Sequence, residues 1–424
     1  MWWRRCAAVT MRVLVIRLVH PHTMITHYTE VLVAGLGPVG ATAALSLARR
    51  GIAVTAIEPL AGGATDLRAS TYHAPTLEIL DDLGAADILF SQGLKAPVYQ
   101  YRDRQNGEVF SFDMGEIADR TRFPYRIQCE QHRVTAGIVE QFQGEASATV
   151  LTGHRVLYVE QDDEGVTAFV ENANTVERWR ARHLLAIDGA SSVVRKVLGL
   201  QFPGFTYDDR FLCLSTEHPI EEAFENLSYV NYISDPKEWI VALRVPGLWR
   251  ILVPAPADLD DAHLLSDAYK NGVFSRILGR AADPATRHRT IYRVHQRVCE
   301  RFAVGRILLA GDAVHLNSPM GGFGMNSGVH DAINACDKLV KILREGADAT
   351  ALTALYEKQR QTITRDFVQA QTIEAPRLMR DGWANARAAR SDALGKLMND
   401  RAARRAYLLK QSMFTSLEEA AAIQ

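Results

Sequence analysis

The chain has 424 residues, of which 47% are hydrophobic and 23% charged, a composition typical of a folded globular protein with room for two or three cores. Its 48 Lys and Arg residues against 49 Asp and Glu residues give no electrostatic reason to expect nucleic acid or an anionic membrane surface as a partner. No stretch approaches the about 20 apolar residues of a membrane span, and the five separated cysteines predict neither a zinc site nor a disulfide framework. Reduced thiols favour a cytoplasmic protein.

Residues 1–28 are predicted to form a disordered extension. The segment contains four arginines and no acidic residue, and Arg12 and Arg17 interrupt the apolar run that a secretory signal needs. Met24 is the predicted natural start, with the upstream residues a disordered or mis-called addition. A transit peptide is the weaker alternative.

A strand–helix–strand unit follows the extension. Residues 30–34 predict a short buried strand, residues 39–50 an Ala- and Leu-rich helix capped by Gly51, and residues 53–57 a second buried strand. Because two parallel strands need a crossover of this kind, the unit indicates a parallel sheet.

The turn between the first strand and the helix is glycine-rich and reads Gly35-Leu36-Gly37-Pro38-Val39-Gly40. Gly35 permits the tight turn, Gly37 lets backbone N–H groups approach a pyrophosphate, and Gly40 lets the helix pack on the strand. Glu58 ends the second strand, where a carboxylate can accept hydrogen bonds from a ribose. The motif indicates a dinucleotide without choosing between NAD and FAD.

Two later strands also end in glycine and aspartate. Residues 305–310 lead into Gly311-Asp312, and residues 183–187 lead into Asp188-Gly189, with Arg195 on the helix that follows. A second glycine loop comes after Asp312 and opens a second helix, so its N–H groups can bind another electron-rich part of the same cofactor. The candidate residues in this loop are Pro319, Gly322, Gly324, Met325 and Asn326.

The remaining pattern predicts a mixed α/β fold. Residues 98–112 alternate like a hairpin with an Asn106-Gly107 turn, and residues 211–254 alternate like an antiparallel meander with one face free to cover a ligand. The predicted organisation is a Rossmann-like nucleotide-binding domain interleaved with an antiparallel substrate sheet, followed by a helical tail. Its segments are 29–200 (with inserted strands near 96–113) and 296–345 for the first domain, 201–295 for the sheet, and 346–424 for the tail.

The three motifs, in this order and at this separation, resemble the FAD-dependent aromatic hydroxylases, the class A flavoprotein monooxygenases related to p-hydroxybenzoate hydroxylase. The resemblance extends over about residues 30–359. It implies that the first glycine loop binds the ADP part of FAD, that Gly311-Asp312 holds the ribitol, and that Asp188-Gly189 with Arg195 serves FAD and the nicotinamide cofactor. Arg68 and Gln128 resemble an arginine at the FAD pyrophosphate and a glutamine near the flavin. A structural polar residue is an equal alternative for both.

The resemblance also implies a reaction. NADH or NADPH reduces FAD, oxygen forms a hydroperoxide at flavin C4a, and a small phenolic or heteroaromatic substrate is hydroxylated. The protein must exclude water and raise the electron density of the ring. Tyr229, Tyr232 and His315 are the candidate catalytic residues, with packing or structural roles as the alternative. Tyr229 and Tyr232 lie three apart, so at most one faces the ligand. Arg244 and Arg250 are candidates for binding a substrate carboxylate, although exposed strand arginines are commoner.

Three other functions are compatible with parts of the pattern. A flavin reductase or dehydrogenase would use the same fold without oxygen transfer, and a catalytically silent flavin-binding protein would keep the loops alone. A NAD dehydrogenase explains the first loop and leaves the later two unexplained. A homodimer through the Arg-rich tail at 377–405 is a further hypothesis, with a solvated set of helices as its alternative.

Overall fold

The computed structural model describes residues 25–62, 69–235, 238–374 and 384–424. Most of the predicted extension, including Met24, lies outside the described residues, as does Arg68. The first strand begins at Thr26, so regular structure starts inside the segment that the sequence assigns to the extension. No helix among these residues combines the length and apolarity needed to cross a membrane.

The described strands are β1 (Thr26–Ala34), β2 (Val54–Glu58), β3 (Thr71–Tyr72), β4 (Leu94–Ala96), β5 (Val98–Asp103), β6 (Val109–Asp113), β7 (Arg126–Gln128), β8 (Ala148–Thr152), β9 (Arg155–Gln161), β10 (Val166–Glu171), β11 (Val176–Ala186), β12 (Gly204–Thr216), β13 (Val230–Ser234), β14 (Ile240–Val245), β15 (Leu248–Ala255), β16 (Thr286–Val298), β17 (Ala303–Val304), β18 (Ile307–Leu309) and β19 (His315–Leu316).

The described α-helices are α1 (Pro38–Ala48), α2 (Ala74–Asp82), α3 (Asp87–Gln92), α4 (Gln131–Gln143), α5 (Val193–Val197), α6 (Asp261–Leu264), α7 (Asp267–Leu278), α8 (Phe323–Arg344), α9 (Ala349–Ile363), α10 (Ala384–Asn399), α11 (Arg401–Gln411) and α12 (Phe414–Ala422). Short 3-10 turns cover Met114–Ile117, Ile220–Ala223 and Gly311–Ala313, and a π-helical turn covers Thr364–Gln369.

The first sheet is parallel at its centre, in the order β18-β11-β1-β2-β8, with β17, β10 and β9 added antiparallel. Ala34 lies beside Ala186, and Ala186 lies beside Leu309, so three strands end at the same level. The glycine loop after β1, the Asp188 turn after β11 and the Gly311 turn after β18 therefore meet at one edge. This is where ligands bind in open α/β sheets.

The second sheet has the order β19-β16-β12-β15-β14-β13-β5-β6 and is antiparallel except where β13 meets β5. The predicted hairpin at 98–112 is present as β5 and β6, and it extends this sheet by pairing with β13. The two predicted domains are thus joined through an early segment of the chain. A third sheet has three strands in the order β3-β7-β4. Along the chain, β3 and β4 lie between β2 and β5, and β7 follows β6.

Side chains alternate between the two faces of the second sheet, as the sequence pattern predicts. Leu214, Ala242 and Ile251 belong to an apolar cluster with Phe274 of α7. The intervening positions point to the opposite face, where Cys213, Tyr232, Val241 and Leu252 line a cavity. One face therefore builds a core, and the other is left to form a site.

A buried carboxylate connects the parallel sheet to the two long C-terminal helices. Asp331 of α8 is fully buried; its Oδ1 accepts a hydrogen bond from Arg360 Nε of α9 at 2.6 Å, and its Oδ2 accepts from His315 Nε2 at 2.8 Å and from the backbone N–H of Gly311 at 3.2 Å. Burial alone would raise the pKa of Asp331, but the charges of Arg360 and His315 hold that pKa below its ordinary value. The network fixes the turn that carries Asp312.

We expect Asp331→Asn to lower the free energy of unfolding by about 3–5 kcal/mol, because it leaves the buried Arg360 charge uncompensated. Asp337→Asn is the matched control, since Asp337 lies on the same helix and forms an exposed ion pair with Arg50. It should change stability by less than about 1 kcal/mol. Denaturant unfolding of both variants measures the difference.

The pH dependence provides a second check on the Asp331 network. Because folding depresses the pKa of Asp331, its stabilisation is present above the ordinary pKa of an aspartic acid and is lost as pH falls through the folded-state value. The stability gap between wild type and Asp331→Asn should therefore narrow in acid. A gap that widens in acid would contradict this assignment.

Candidate active site

The first glycine loop leaves β1 in a conformation that only glycine adopts easily. Gly35 has φ +98°, and a Cβ built there would lie 2.4 Å from the carbonyl oxygen of Ile187. A Cβ on Gly40 would lie 1.9 Å from the oxygen of Gly35. A Cβ on Gly37, in contrast, meets no atom within 4 Å, and Gly37 caps the N-terminus of α1. Two glycines serve the fold, and the third leaves open space in front of a helix N-terminus.

Glu58 fixes this loop to the end of β2. Its Oε2 accepts from the N–H of Leu36 at 2.9 Å and its Oε1 from the N–H of Leu60 at 3.0 Å, and the side chain is buried. A carboxylate has about four acceptor sites. Capacity therefore remains for hydroxyl groups of a ligand.

Asp188 accepts hydrogen bonds from the first turn of the short helix α5. Its Oδ2 accepts from the N–H groups of Val193 at 2.7 Å and Val194 at 3.2 Å, whereas its buried Oδ1 has no hydrogen-bond partner among the described residues. Burial raises the pKa of Asp188. A buried acceptor of this kind favours a donor group from outside the protein.

Arg195 lies between the two aspartate turns and does not line the cavity. Its Nη1 donates to Ala313 O at 2.7 Å, its Nη2 donates to Ala190 O at 2.8 Å, and its guanidinium stacks on Phe202. The side chain is buried. The structure therefore places Arg195 as a link between the Asp188 turn and the Gly311 turn.

The second glycine loop is tied down by Asn326. Its Oδ1 accepts from the N–H of His73, and its Nδ2 donates to Thr71 O and Gly322 O at 2.9 and 2.6 Å. Gly322 has φ +71° and caps α8. Asn326 thus holds the loop against β3 with its own amide. The other loop residues predicted from sequence, Pro319, Gly322, Gly324 and Met325, line the cavity together with the exposed Asp312.

Gln128 lies beside the same segment and is fully buried. Its Oε1 accepts from Thr71 Oγ1 at 3.0 Å, and its Nε2 has no hydrogen-bond partner among the described residues. Thr71 itself lines the cavity and Gln128 does not. Gln128 therefore contacts the cavity wall through Thr71 and does not line the cavity itself.

The cavity has a volume of about 540 Å³ and extends from the Asp312 turn to the free face of the second sheet. Tyr232 lines it, and the ring of Tyr232 stacks on Tyr101 with centroids 5.2 Å apart. Tyr229 precedes β13, is 43% exposed and lies outside the lining. His315 is fully buried in the Asp331 network and also lies outside it. Of the three predicted catalytic side chains, the structure brings Tyr232 alone to the cavity.

Several lining residues were missed by sequence reasoning. Strand β16 contributes His288, Thr290 and Tyr292, and β12 contributes Cys213. A signal for β16 exists in the sequence, because arginines at 287 and 289 alternate with these residues. Of the two candidate arginines, Arg250 is buried and lines the cavity, whereas Arg244 stacks on Trp249 outside it.

Comparison with known proteins decides the family. The model of the FAD binding domain family matches residues 28–371. The chain is a member of the FAD-dependent aromatic hydroxylases. Para-nitrophenol 4-monooxygenase of Pseudomonas sp. strain WBC-3 is 33% identical over 386 residues, covering 89% of this chain and 94% of that protein. The crystal structure of p-nitrophenol 4-monooxygenase from Pseudomonas putida DLL-E4 matches with a TM-score of 0.86 and 30% identity, over 93% of this chain and 99% of that one.

A third relative is named for a pyridine substrate. The 6-hydroxy-3-succinoylpyridine 3-monooxygenase of Pseudomonas putida is 25% identical over 344 residues, 80% of this chain and 85% of that protein. The relatives are monooxygenases that act on aromatic rings, so this flavoprotein hydroxylase transfers oxygen to an aromatic compound and uses NAD(P)H as co-substrate. A reductase without oxygen transfer and a NAD dehydrogenase are not needed to explain the motifs.

The residues present in the cleft fit FAD. Gly37 leaves space where a pyrophosphate would approach the backbone, the Asp188 Oδ1 offers an unused acceptor, and Asp312 is exposed where the cleft opens into the cavity. Helices α1 and α8 both have a glycine as their N-cap residue, Gly37 and Gly322. Such termini favour anionic or electron-rich groups.

Gly37→Val and Gly40→Val form a pair that separates cofactor binding from folding. At Gly37 the new side chain meets no protein atom, so the apoprotein should lose no more than about 1 kcal/mol of stability, while FAD affinity falls at least tenfold. At Gly40 the clash with Gly35 should cost at least about 2 kcal/mol in the apoprotein itself. Flavin titration and thermal unfolding of both apoproteins measure these effects. Full FAD affinity in Gly37→Val would remove this loop from the cofactor site.

Proposed function

We propose that this hydroxylase acts on a phenol that binds in the cavity between the flavin and the free face of β12 to β16. The observation that carries the proposal is that Asp312, Tyr232 and Arg250 line one and the same cavity. Para-nitrophenol 4-monooxygenase, the relative with 33% identity, takes a phenol by its name. A hydroxypyridine is the second candidate class, supported by the name of the pyridine-acting relative.

The FAD contacts assigned from the motifs are part of the proposal. The first glycine loop with Glu58 would hold the ADP portion, Asp312 the ribitol, and the second glycine loop the flavin ring. Arg195, Gln128 and Asn326 would act through the turns and strands that they fasten, because these side chains form hydrogen bonds within the chain. Bound FAD supplies hydride acceptance from NAD(P)H and activation of oxygen, which side chains cannot provide.

Tyr232 is proposed to hydrogen-bond the phenol oxygen. The Tyr101 ring that stacks on it is itself held by a hydrogen bond from the Tyr407 hydroxyl at 3.1 Å. Burial raises the pKa of Tyr101 to about 12, so Tyr101 stays a neutral support. Strand β13, the hairpin and the C-terminal helix α11 thus combine to orient one hydroxyl-bearing side chain at the cavity wall.

We also propose a cytoplasmic location. The supporting observations are a reaction that consumes NAD(P)H and four described cysteines that are free and buried. The homodimer stays a prediction. Three arginines of its suggested face are engaged within the chain, since Arg390 bonds to Ser234, Arg404 to Glu116 and Arg405 to Asp119.

Tyr232→Phe tests the phenol contact, with Tyr229→Phe as its matched control. Loss of the Tyr232 hydroxyl should reduce product formation by about 10²-fold or more, while NAD(P)H oxidation continues and hydrogen peroxide accumulates. Tyr229 is exposed outside the cavity, so its variant should keep wild-type coupling. The measurement is product formed per NAD(P)H consumed, on a panel of phenols and hydroxypyridines.

Wild-type coupling in Tyr232→Phe would place the phenol contact elsewhere. Uncoupling by Tyr229→Phe would show that the cavity wall is not the active surface. A wild-type enzyme that oxidises NAD(P)H without hydroxylating any member of the panel would contradict the proposed substrate classes.

A further inference from the structure

The polar groups of the cavity floor are arranged in rows across the second sheet. One row runs through Thr290, Cys213, Leu252, Val241 and Tyr232, which are neighbours in successive strands. The next row runs through His288, Ser215, Arg250 and Leu243. Members of both rows line the cavity. Tyr232 and Arg250 therefore stand in adjacent rows of one wall.

The two rows differ in their distance from the cofactor loops along β16. This strand runs from His288 to the point where Arg297 pairs with Leu316, next to the Gly311 turn. The Arg250 row contains His288, and the Tyr232 row contains Thr290, which is two residues closer to that junction. The arginine row is therefore about 7 Å further from the cofactor side along the strand.

The charged side chains of the cavity lining are mostly basic. The lining contains the arginines Arg250 and Arg293 and the imidazoles of His288 and His295, and Asp312, at the cofactor end, is the one carboxylate among the described lining residues. Arg250 is 2% exposed, and its neighbours on the adjacent strands are Ser215 of β12 and Leu243 of β14. A guanidinium keeps its charge in proteins. The floor away from the cofactor thus contains a fixed positive charge.

We propose that Arg250 binds the ionised oxygen of the phenol and holds the para carbon of the ring toward the flavin. This inference rests on the proposed function and adds the ionisation state and orientation of the substrate. The phenol binds after giving its proton to solvent, and the arginine charge stabilises the anion that remains. Because the para carbon lies opposite the oxygen, anchoring the oxygen in the remote row directs that carbon to the cofactor end. Tyr232, one row nearer, hydrogen-bonds the same oxygen from the side.

The charged and titratable groups that face Arg250 come from each strand packed beside it. Cys213 on β12 senses its charge, since Arg250 lowers the pKa of that thiol against the larger raising effect of burial. In the cavity lining, the nearest titratable groups in the two rows are His288 on β16 and Tyr232 on β13, and the facing position on β14 is the apolar Leu243.

The test uses oxidised holoenzyme and 4-nitrophenol, whose anion absorbs visible light and whose neutral form does not. Titrations at several pH values give the dissociation constant and the pKa of the bound phenol without turnover. We expect Arg250→Met to weaken phenolate binding at least tenfold and to raise the bound pKa by about one unit. Arg244→Met is the matched control, because Arg244 lies on the next strand outside the cavity, and it should behave as wild type.

Two comparisons decide whether the effect is one of charge. Arg250→Lys keeps the charge and should fall between wild type and Arg250→Met, whereas equal losses in both variants would overturn the proposal. Nitrobenzene has no ionisable oxygen, so its affinity should be the same in all variants, and FAD content verifies folding. An unchanged bound pKa in Arg250→Met would also overturn the proposal. The proposed function fails separately, if no phenol is hydroxylated by the wild type.

Discussion

The site depends on one buried carboxylate. Asp331 receives Arg360 from α9, His315 from the strand after the Gly311 turn, and the backbone N–H of Gly311 itself. Asp331 lies on α8, and its partners lie on α9 and within residues 311–315, so a single ion-paired acid fixes the exposed Asp312 relative to both long helices. A carboxylate in this position stabilises the fold only while all its partners are present. These contacts hold the turn in place while its own Asp312 side chain lines the cavity.

The cavity itself follows from the meeting of two different sheets. The parallel sheet delivers three loops to one edge because its strands end in register, and the antiparallel sheet presents alternate residues on a free face. Strand β19 links them by pairing with the end of β16. A flavin held by the loops would therefore lie against a wall whose side chains are set by β-sheet periodicity. Cofactor binding and substrate orientation thereby share one scaffold.

Much of this arrangement can be predicted from the sequence, and the failures have physical causes. Glycine loops between a strand and a helix are local signals, so Gly35 to Gly40 and Gly311 to Asn326 were found. The cofactor roles of Arg195 and Asn326 stay predictions, and only the structure reveals that these side chains also join segments over 100 residues apart in the chain. A hydrogen bond between segments that are distant in the chain gives no signal in the local sequence pattern. Tyr229 and Tyr232 could not be separated because the start of β13 decides which one faces the cavity.

The pairing of the hairpin with β13 is a second long-range feature. It brings Tyr101 behind Tyr232, and alternation alone predicts the strands without their neighbours.

The most direct measurement of the central claim follows oxygen through the reaction. The FAD-loaded enzyme, reduced by NAD(P)H without oxygen, is mixed with isotopically labelled dioxygen and a phenol that carries hydrogen at its para carbon, and the product is analysed by mass spectrometry. The account predicts one labelled oxygen atom in the aromatic product. Reoxidation of the flavin with all the label in hydrogen peroxide or water, for every phenol and hydroxypyridine tried, would contradict it.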